Sequence, residues 1–287
     1  MLEKIIPLKI NYFLELIRFN KPIGFMLLMW PCWFGLTLLP GNALHFFKWY
    51  CLFFLGAFLM RSVGCIINDL VDINIDKYIK RTSNRPLTAK KLSVKESLIF
   101  LFFLLMLSFL ILLQFDFKAI IVGAASIPLV ALYPFMKRYT YWPQLILGII
   151  FSWGVFIVYF QFSNKFELEY VLLYIGCIFW TLGYDTIYAY QDIEDDIKNN
   201  IKSTAVLFKN KGIYFVKFFY LIFFLNIGFI SWKTSDNLYG LIVIILYIFV
   251  INLLLNNWDI KSRSSSNYYF KFNNLIGLGC FLFLLIF

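Results

Sequence analysis

Two acidic clusters interrupt an otherwise apolar chain, and their side chains are of the kind that bind cations. The first cluster lies at residues 68–76 and the second at residues 192–196. The chain has only 16 acidic residues, and half of them lie in these clusters or, as Asp185 does, shortly before the second. Because the chain is 61% hydrophobic, repeated carboxylates are unfavourable there unless cations neutralise them. These clusters are therefore the first candidates for a functional site.

The spacing within each cluster would bring its side chains to one face of a helix. Neighbours are three or four residues apart, which is the separation of adjacent helical turns. The two sets are Asp69, Asp72 and Asp76, and Asp185, Tyr188, Asp192 and Asp196. Oxygen ligands with open coordination positions suit Mg²⁺, which substrate phosphates usually complete. Two such sets facing one another predict a pair of magnesium ions that hold a diphosphate, with nearby Lys and Arg neutralising the remaining charge.

Other uses of these residue types fit the sequence less well. A single Asp-rich loop would be explained by helix capping, but two such clusters occur, with 120 residues between Asp72 and Asp192. The first cluster lacks the turn glycine and the final glutamate of a Ca²⁺ loop, and no Gly-x-x-x-x-Gly-Lys phosphate loop is present. His45 is the only histidine, which excludes a histidine-based metal site and a Ser-His-Asp triad.

Long apolar stretches recur along the whole chain, whose mean hydropathy is +0.77. A helix needs about 20 apolar residues to span a bilayer, and the alternation of a membrane β-barrel is missing. The predicted spans are residues 23–39, 47–67, 96–114, 118–136, 142–162, 168–190, 213–232, 238–256 and 272–287. We therefore predict an all-α integral membrane protein with nine transmembrane helices around a central cavity. A single domain over residues 1–287 would contain two pseudo-repeated halves, each presenting one acidic cluster to that cavity.

The positive charges predict the orientation of this bundle. With nine spans, 21 of the 26 Lys and Arg residues fall on one side of the membrane and four on the other, while Arg61 lies inside a span. Positive loops mark the cytoplasmic side, which therefore holds the N-terminus and both acidic clusters, in what we expect to be a bacterial inner membrane. The net charge of +10 then favours contact with anionic lipid over nucleic-acid binding.

The motifs around both clusters resemble those of the UbiA superfamily of intramembrane aromatic prenyltransferases. Residues 68–76 are similar to the Asn-Asp-x-x-Asp-x-x-x-Asp signature of that superfamily, and residues 183–205 look like the second signature of its 4-hydroxybenzoate polyprenyltransferase branch. Residues 18–31, 85–87 and 133–138 also resemble that branch. The similar blocks occur in order along essentially the whole chain.

The resemblance implies magnesium-dependent transfer of a polyprenyl group from polyprenyl diphosphate to the ring carbon ortho to the hydroxyl of 4-hydroxybenzoate, in ubiquinone biosynthesis. The allylic diphosphate would ionise, and the electron-rich ring would attack the resulting cation and lose a proton. Residues expected to bind Mg²⁺ with the diphosphate are Asn68, Asp69, Asp72, Asp76, Asp192 and Asp196. Candidates for direct diphosphate contact are Arg81, Arg85, Lys137 and Lys202.

Acceptor binding is assigned to a second group of residues. Arg138 or Arg18 would hold the benzoate carboxylate, and Asp185 or Tyr188 would orient the phenol. Those expected to be catalytic are Asp72, Asp192, Asp185 and Arg138. Arg61 and Asp185 are each expected to face the interior of the bundle, because charged side chains are costly against lipid.

Two alternative functions remain open from the sequence. Prenyltransferases of the same superfamily with menaquinone, haem O or tocopherol-type acceptors share the acidic motifs. A secondary transporter would also combine pseudo-repeated helices with charges, but its site would lie between broken helices at the bilayer midplane. The carboxylates here cluster at cytoplasmic helix ends, which favours the prenyltransferase. Membrane lipid is the expected environment, and nothing in the sequence indicates a nucleic-acid or protein partner.

Overall fold

A computed structural model describes residues 8–41, 43–79, 81–163, 165–235 and 238–287. Lys4 and Lys80, two of the charges assigned to the cytoplasmic side, lie outside these ranges. The regular structure of the described residues is helical throughout. The α-helices are α1 (Leu8–Leu16), α2 (Ile23–Thr37), α3 (Phe47–Asp76), α4 (Val94–Leu112), α5 (Phe117–Tyr139), α6 (Pro143–Ser152), α7 (Gly154–Phe162), α8 (Leu168–Ala189), α9 (Ile193–Lys198), α10 (Thr204–Phe208), α11 (Gly212–Ser235), α12 (Leu238–Asn256) and α13 (Arg263–Ile286).

Eight helical segments in the described ranges are long and apolar enough to cross a membrane. They confirm the predicted all-α membrane architecture, whereas the predicted count of nine spans is not confirmed. The predicted first span, residues 23–39, forms α2, which has 15 residues against the roughly 20 of a full crossing. The pseudo-repeat of two halves and the single domain over residues 1–287 stay predictions.

Two helices extend beyond their predicted spans because polar residues continue them. α13 begins at Arg263 rather than at residue 272, and the Ser262 side chain caps it by accepting a hydrogen bond from the backbone N–H of Ser265. α3 runs on from the predicted limit at residue 67 to Asp76, so the first acidic cluster is helical as expected. Apolar patterning detects the lipid-spanning part of a helix and misses its polar extension.

The second acidic cluster, in contrast, does not continue the helix before it. α8 ends at Ala189, residues 190–192 form a turn, and Asp192 occupies the N-cap position of the short helix α9. The prediction that one continuous helical face carries Asp185, Tyr188, Asp192 and Asp196 is therefore wrong. The turn redirects the chain between the second and third of these residues.

The centre of the bundle is α8, which packs against α6, α11 and α13. A Cβ atom added at Gly183 of α8 would lie 2.3 Å from the Tyr220 ring of α11, so the glycine permits this close approach. Small residues at such interfaces are the usual means by which membrane helices pack. Trp180 of α8 also stacks on Phe223 of α11, with the ring centroids 5.1 Å apart.

A buried asparagine connects three of these helices. The Oδ1 atom of Asn273 on α13 accepts hydrogen bonds from Trp180 Nε1 at 2.8 Å and from Tyr220 Oη at 2.7 Å. Its Nδ2 donates to the Tyr269 carbonyl within α13 at 2.9 Å. Because Asn273 is only 1% exposed, neither aromatic donor has water as a substitute partner.

We expect Asn273→Ala to destabilise the bundle by about 1–3 kcal/mol, since two interhelical hydrogen bonds of about 0.6 kcal/mol each, and at most about 1.7, are lost within the membrane. Thermal unfolding of the purified protein in detergent measures the effect. Asn226→Ala is the matched control, because the Nδ2 atom of Asn226 donates to Ile222 O inside its own helix. Equal melting temperatures for the two variants would contradict the connecting role of Asn273.

Candidate active site

The two acidic clusters line one cavity of about 410 Å³, which lies between the helices that carry them. This volume is within the range of about 300–1,000 Å³ typical of ligand sites. The cavity follows α3 from Leu52 to Asp76, a path of roughly 36 Å at the rise of an α-helix. Carboxylates and basic side chains line one end, and the opposite end is lined by apolar side chains such as Phe115 and Ile157. Its chemistry suits an amphiphilic ligand with a charged head and a long apolar tail.

Asp69 and Asp76 in the first cluster are both bound by Arg85. The Arg85 Nη1 atom lies 3.0 Å from Asp69 Oδ1 and 2.6 Å from Asp76 Oδ2. Arg18 Nη2 also donates to Asp69 Oδ1, at 2.6 Å. Asp69 is therefore held between two guanidinium groups and does not line the cavity, whereas Asp76 does.

Asp72 is a buried carboxylate of the first cluster and, like Asp76, lines the cavity. Lys137 Nζ donates to its Oδ2 atom, and Arg138 Nη2 lies 3.9 Å from its Oδ1 atom. The Oδ1 atom is buried and has no hydrogen-bond partner among the described residues. One oxygen of Asp72 is thus bound by Lys137 from α5, and the other makes no hydrogen bond within the described part of the chain, although Arg138 lies 3.9 Å from it.

Asp192 in the second cluster is held by a basic residue from the segment between α3 and α4. Arg81 Nε lies 2.9 Å from each oxygen of Asp192, and Arg81 Nη2 lies 2.5 Å from Oδ2. The same guanidinium donates through Nη1 to Tyr188 Oη at 2.8 Å. This segment therefore bridges the clusters, since Arg81 binds the second and Arg85 binds the first.

Asp196 differs from the other carboxylates, because no Lys or Arg nitrogen of the described residues lies within 4 Å of it. Its closest polar partner is Ser203, whose Oγ atom donates to Asp196 Oδ2 at 3.5 Å. Burial, together with the nearby Asp192 carboxylate, raises the pKa of Asp196 to about 7. A cation at this position would restore the charged form of the carboxyl group.

The donor set fits a divalent cation, although the carboxylates are not arranged around one. Within the described ranges, no group of three or more His, Cys, Asp or Glu side chains could hold a metal ion, and Asp192, Asp76 and Asp72 each pair with an Arg or a Lys. The buried and unpartnered Asp72 Oδ1 and the uncompensated Asp196 are the hard oxygen ligands that Mg²⁺ takes. An anionic ligand would attract the basic side chains and release further carboxylate oxygens.

Most of the residues predicted from the sequence line this cavity. They are Arg18, Asn68, Asp72, Asp76, Arg81, Arg85, Lys137, Asp185, Tyr188, Asp192, Asp196 and Lys202. Lys202 reaches the rim, where its Nζ donates to the Tyr139 carbonyl at 3.1 Å. Arg138 is outside the cavity lining; its side chain is 41% exposed, and its Nη2 donates to Val71 O at 3.1 Å.

Arg61 is a cavity residue to which the sequence prediction gave an inward orientation but no role. Its Nε atom is buried and lacks a hydrogen-bond partner in the described part of the chain, and its guanidinium lies 5.7 Å from the centroid of the Phe151 ring. A Cβ atom at Gly24 would come within 2.6 Å of Nε, so the glycine makes room for it. Asp185 lines the same cavity, and no Lys or Arg of the described ranges forms an ion pair with it within 4 Å. The sequence feature that could have indicated a role for Arg61 is its position as an arginine within an apolar span, two helical turns before Asn68.

Comparison with known proteins relates the whole chain to one family. The model of the UbiA prenyltransferase family matches residues 28–276. The 4-hydroxybenzoate octaprenyltransferase of Blochmanniella pennsylvanica is 35% identical over 281 residues, which cover 93% of this chain and 92% of the relative. The mitochondrial 4-hydroxybenzoate polyprenyltransferase of Dictyostelium discoideum is 44% identical over 209 residues, covering 72% of this chain. That match spans only 45% of the length of the Dictyostelium relative.

Solved structures show the same helical fold at lower identity. The apo structure of a UbiA homologue from Aeropyrum pernix has a TM-score of 0.72 and 19% identity, covering 90% of this chain and 96% of that one. The structure of a UbiA homologue from Archaeoglobus fulgidus bound to GPP and Mg²⁺ has a TM-score of 0.69 and 16% identity, covering 96% and 100%.

Proposed function

Because this chain belongs to the UbiA prenyltransferase family, we propose that it transfers a polyprenyl group from polyprenyl diphosphate to 4-hydroxybenzoate, at the ring carbon ortho to the hydroxyl. The observation that carries the proposal is a single cavity with acidic and basic side chains at one end and apolar side chains at the other. The 4-hydroxybenzoate prenyltransferases among the relatives support this acceptor and a role in ubiquinone biosynthesis.

The diphosphate is proposed to bind where carboxylates and basic side chains now pair with one another. Arg81, Arg85 and Lys137 would transfer their hydrogen bonds from Asp192, Asp76 and Asp72 to phosphate oxygens, which are equally good partners for charged donors. The carboxylates so released would hold Mg²⁺, together with Asn68 and Asp196. When bound, the metal supplies positive charge that stabilises the departing diphosphate. Lys202 lies at the rim as a further candidate for phosphate contact.

Asp69 fits the proposed metal set less well than its neighbours. It is outside the cavity lining, and both of its described partners are guanidinium groups. These contacts support a role in orienting Arg85 towards the site. We therefore keep Asp69 as a residue of the first motif but propose that it acts through Arg85.

The acceptor carboxylate is proposed to bind Arg61, rather than Arg18 or Arg138 as the sequence predicted. Arg18 is engaged with Asp69 and with the carbonyl of Leu16, and Arg138 lies outside the cavity lining. The Nε donor of Arg61 is buried and has no hydrogen-bond partner among the described residues, and a charge-assisted hydrogen bond is strong in such a desolvated position. Asp185 and Tyr188, which also line the cavity, are the candidates that orient the phenol.

The remaining protein contribution is to position the reactants and to exclude water. Apolar walls along α3, α4 and α5 would accommodate the prenyl tail and keep water from the allylic cation. The predicted nine-span topology puts most positive residues on one side, and on that topology we propose a cytoplasmic opening in a bacterial inner membrane. The acceptor would then enter from the cytoplasm and the prenyl donor from the lipid.

The direct test incubates membranes that contain the protein with polyprenyl diphosphate, Mg²⁺ and a panel of aromatic acceptors, and analyses products by mass spectrometry. We expect 4-hydroxybenzoate to be prenylated once, and only when the metal is present. The panel should include acceptors of the menaquinone, haem O and tocopherol types. A product with one of these and none with 4-hydroxybenzoate would overturn the proposed acceptor.

A further inference from the structure

The turn between α8 and α9 determines how the second acidic motif is placed relative to the cavity. Residues 190–192 interrupt the helix, so that Asp192 and Asp196 line the cavity although α8 itself ends at Ala189. Such a turn must be stabilised by contacts from elsewhere in the protein, because each of its residues could otherwise continue the helix. The supporting contacts come from the connection between α12 and α13.

Two residues, one in that connection and one at the start of α13, contact the turn directly. The Trp258 ring packs edge-on against Tyr190, with the centroids 5.3 Å apart. Arg263, the first residue of α13, donates from Nε to the Gln191 carbonyl at 2.6 Å. The N-cap hydrogen bond of Ser262 fixes the start of α13, and thus the backbone from which the Arg263 side chain extends.

The same guanidinium also reaches the acidic side chains around the turn. Arg263 Nη2 lies 3.6 Å from Asp195 Oδ2 and 4.0 Å from Asp192 Oδ1. Arg263 does not line the cavity, so it cannot contact a ligand there. Because its side chain is 46% exposed, charge attraction alone contributes little. The directional hydrogen bond to the Gln191 carbonyl is the stronger constraint.

Arg81 binds Asp192 through hydrogen bonds, Arg263 lies 4.0 Å from the same carboxylate, and of the two only Arg81 lines the cavity. If Arg81 transfers its hydrogen bonds to a bound diphosphate, Arg263 is the remaining described basic residue that restrains the turn. We propose that Arg263 is a positioning residue that keeps Asp192 aimed at the metal–diphosphate site. This inference rests on the proposed function, since it concerns the binding of Mg²⁺ with a prenyl diphosphate.

The experiment compares Arg263→Gln, Arg263→Lys and the matched control Lys261→Gln, which removes a charge from the same connection. Purified proteins are titrated with Mg²⁺ in the presence of geranyl S-thiolodiphosphate, an unreactive prenyl diphosphate analogue, and binding is followed by the rise in melting temperature. We expect the half-saturating Mg²⁺ concentration to rise about tenfold in Arg263→Gln, the lower end of the 10–100-fold effects of residues that orient metal ligands. Lys261→Gln should titrate like the wild type.

Transfer kinetics add a readout that a purely structural role would not produce. In Arg263→Gln the apparent KM for Mg²⁺ should rise, while kcat at saturating metal and the KM for the aromatic acceptor stay near wild type. A lower kcat with an unchanged Mg²⁺ titration would overturn the proposal. If Arg263→Gln does not fold, the Mg²⁺ titration of Arg263→Lys tests the proposal instead. Lysine keeps the charge but cannot reproduce the geometry of the guanidinium group. A half-saturating Mg²⁺ concentration equal to that of the wild type in Arg263→Lys would therefore also overturn the proposal.

The binding titration separates this inference from the proposed function. A wild type that binds Mg²⁺ with the analogue but prenylates no acceptor would disprove the proposed reaction, and the titrations would still decide the role of Arg263. If Mg²⁺ and the analogue together raise the melting temperature of the wild type no more than each does alone, both the proposed function and the proposed role of Arg263 would be disproved.

Discussion

Asp72→Asn should abolish magnesium-dependent prenyl transfer, lowering kcat/KM by about 10³-fold, the size of effect seen when one preorganised charge-stabilising group is removed. Asp72 is buried at the cavity, with one oxygen bound by Lys137 and the other unpartnered. Asparagine has nearly the same shape but lacks the negative charge that a metal ligand needs. It would also leave Lys137 without its counter-charge, so the charge balance of the site is lost along with a ligand.

The same loss is expected for Asp192→Asn, although this residue lies on the other motif. If the two motifs hold one diphosphate, the double variant Asp72→Asn/Asp192→Asn should be hardly worse than either single variant, because residues that act as a unit are not additive. Activity is measured with 4-hydroxybenzoate at saturating Mg²⁺, and melting temperature in detergent verifies folding. Asp116→Asn is the control, since Asp116 is exposed before α5 and caps nothing with its side chain. Retained activity in both single variants would refute the shared site.

The sequence predicted the first acidic motif better than the second, for a physical reason. In the first motif, helical spacing alone brings Asp72 and Asp76 to one face, and α3 does continue to Asp76. In the second motif, the helix breaks at residues 190–192, held by Trp258 and Arg263 from about 70 positions further along the chain. Local spacing carries no information about such distant contacts, so the predicted continuous face was wrong, even though its carboxylates do line the cavity.

The basic residues show a similar limit. The sequence identified Arg81, Arg85 and Lys137 as neighbours of the acidic motifs, and the structure places them there. It named Arg18 or Arg138 for the acceptor carboxylate and gave Arg61 only an inward orientation. Our proposal of Arg61 instead depends on which guanidinium already has a partner, which is a property of the packed bundle.

Arg61→Met should lower kcat/KM for 4-hydroxybenzoate by about 10²-fold, equivalent to about 2.7 kcal/mol, mainly through a higher KM. The unused Nε donor of Arg61 is buried, and removing one partner from a desolvated charge pair has an effect of this order. Methionine keeps an unbranched apolar side chain against Phe151, so the cavity shape is largely preserved. Arg61→Lys should restore activity only in part, since an ammonium group cannot bind a carboxylate in the two-pronged manner of a guanidinium.

Methyl 4-hydroxybenzoate isolates the role of charge, because it has the same ring and hydroxyl but no carboxylate. Wild type should strongly prefer 4-hydroxybenzoate over the ester, and Arg61→Met should lose most of that preference while its KM for prenyl diphosphate stays near wild type. Arg138→Met is the matched control, with the same change at a basic residue outside the cavity lining. If Arg138→Met removed the preference and Arg61→Met kept it, the carboxylate would bind at the cavity rim, and the ring would lie nearer to the acidic motifs than Arg61 allows.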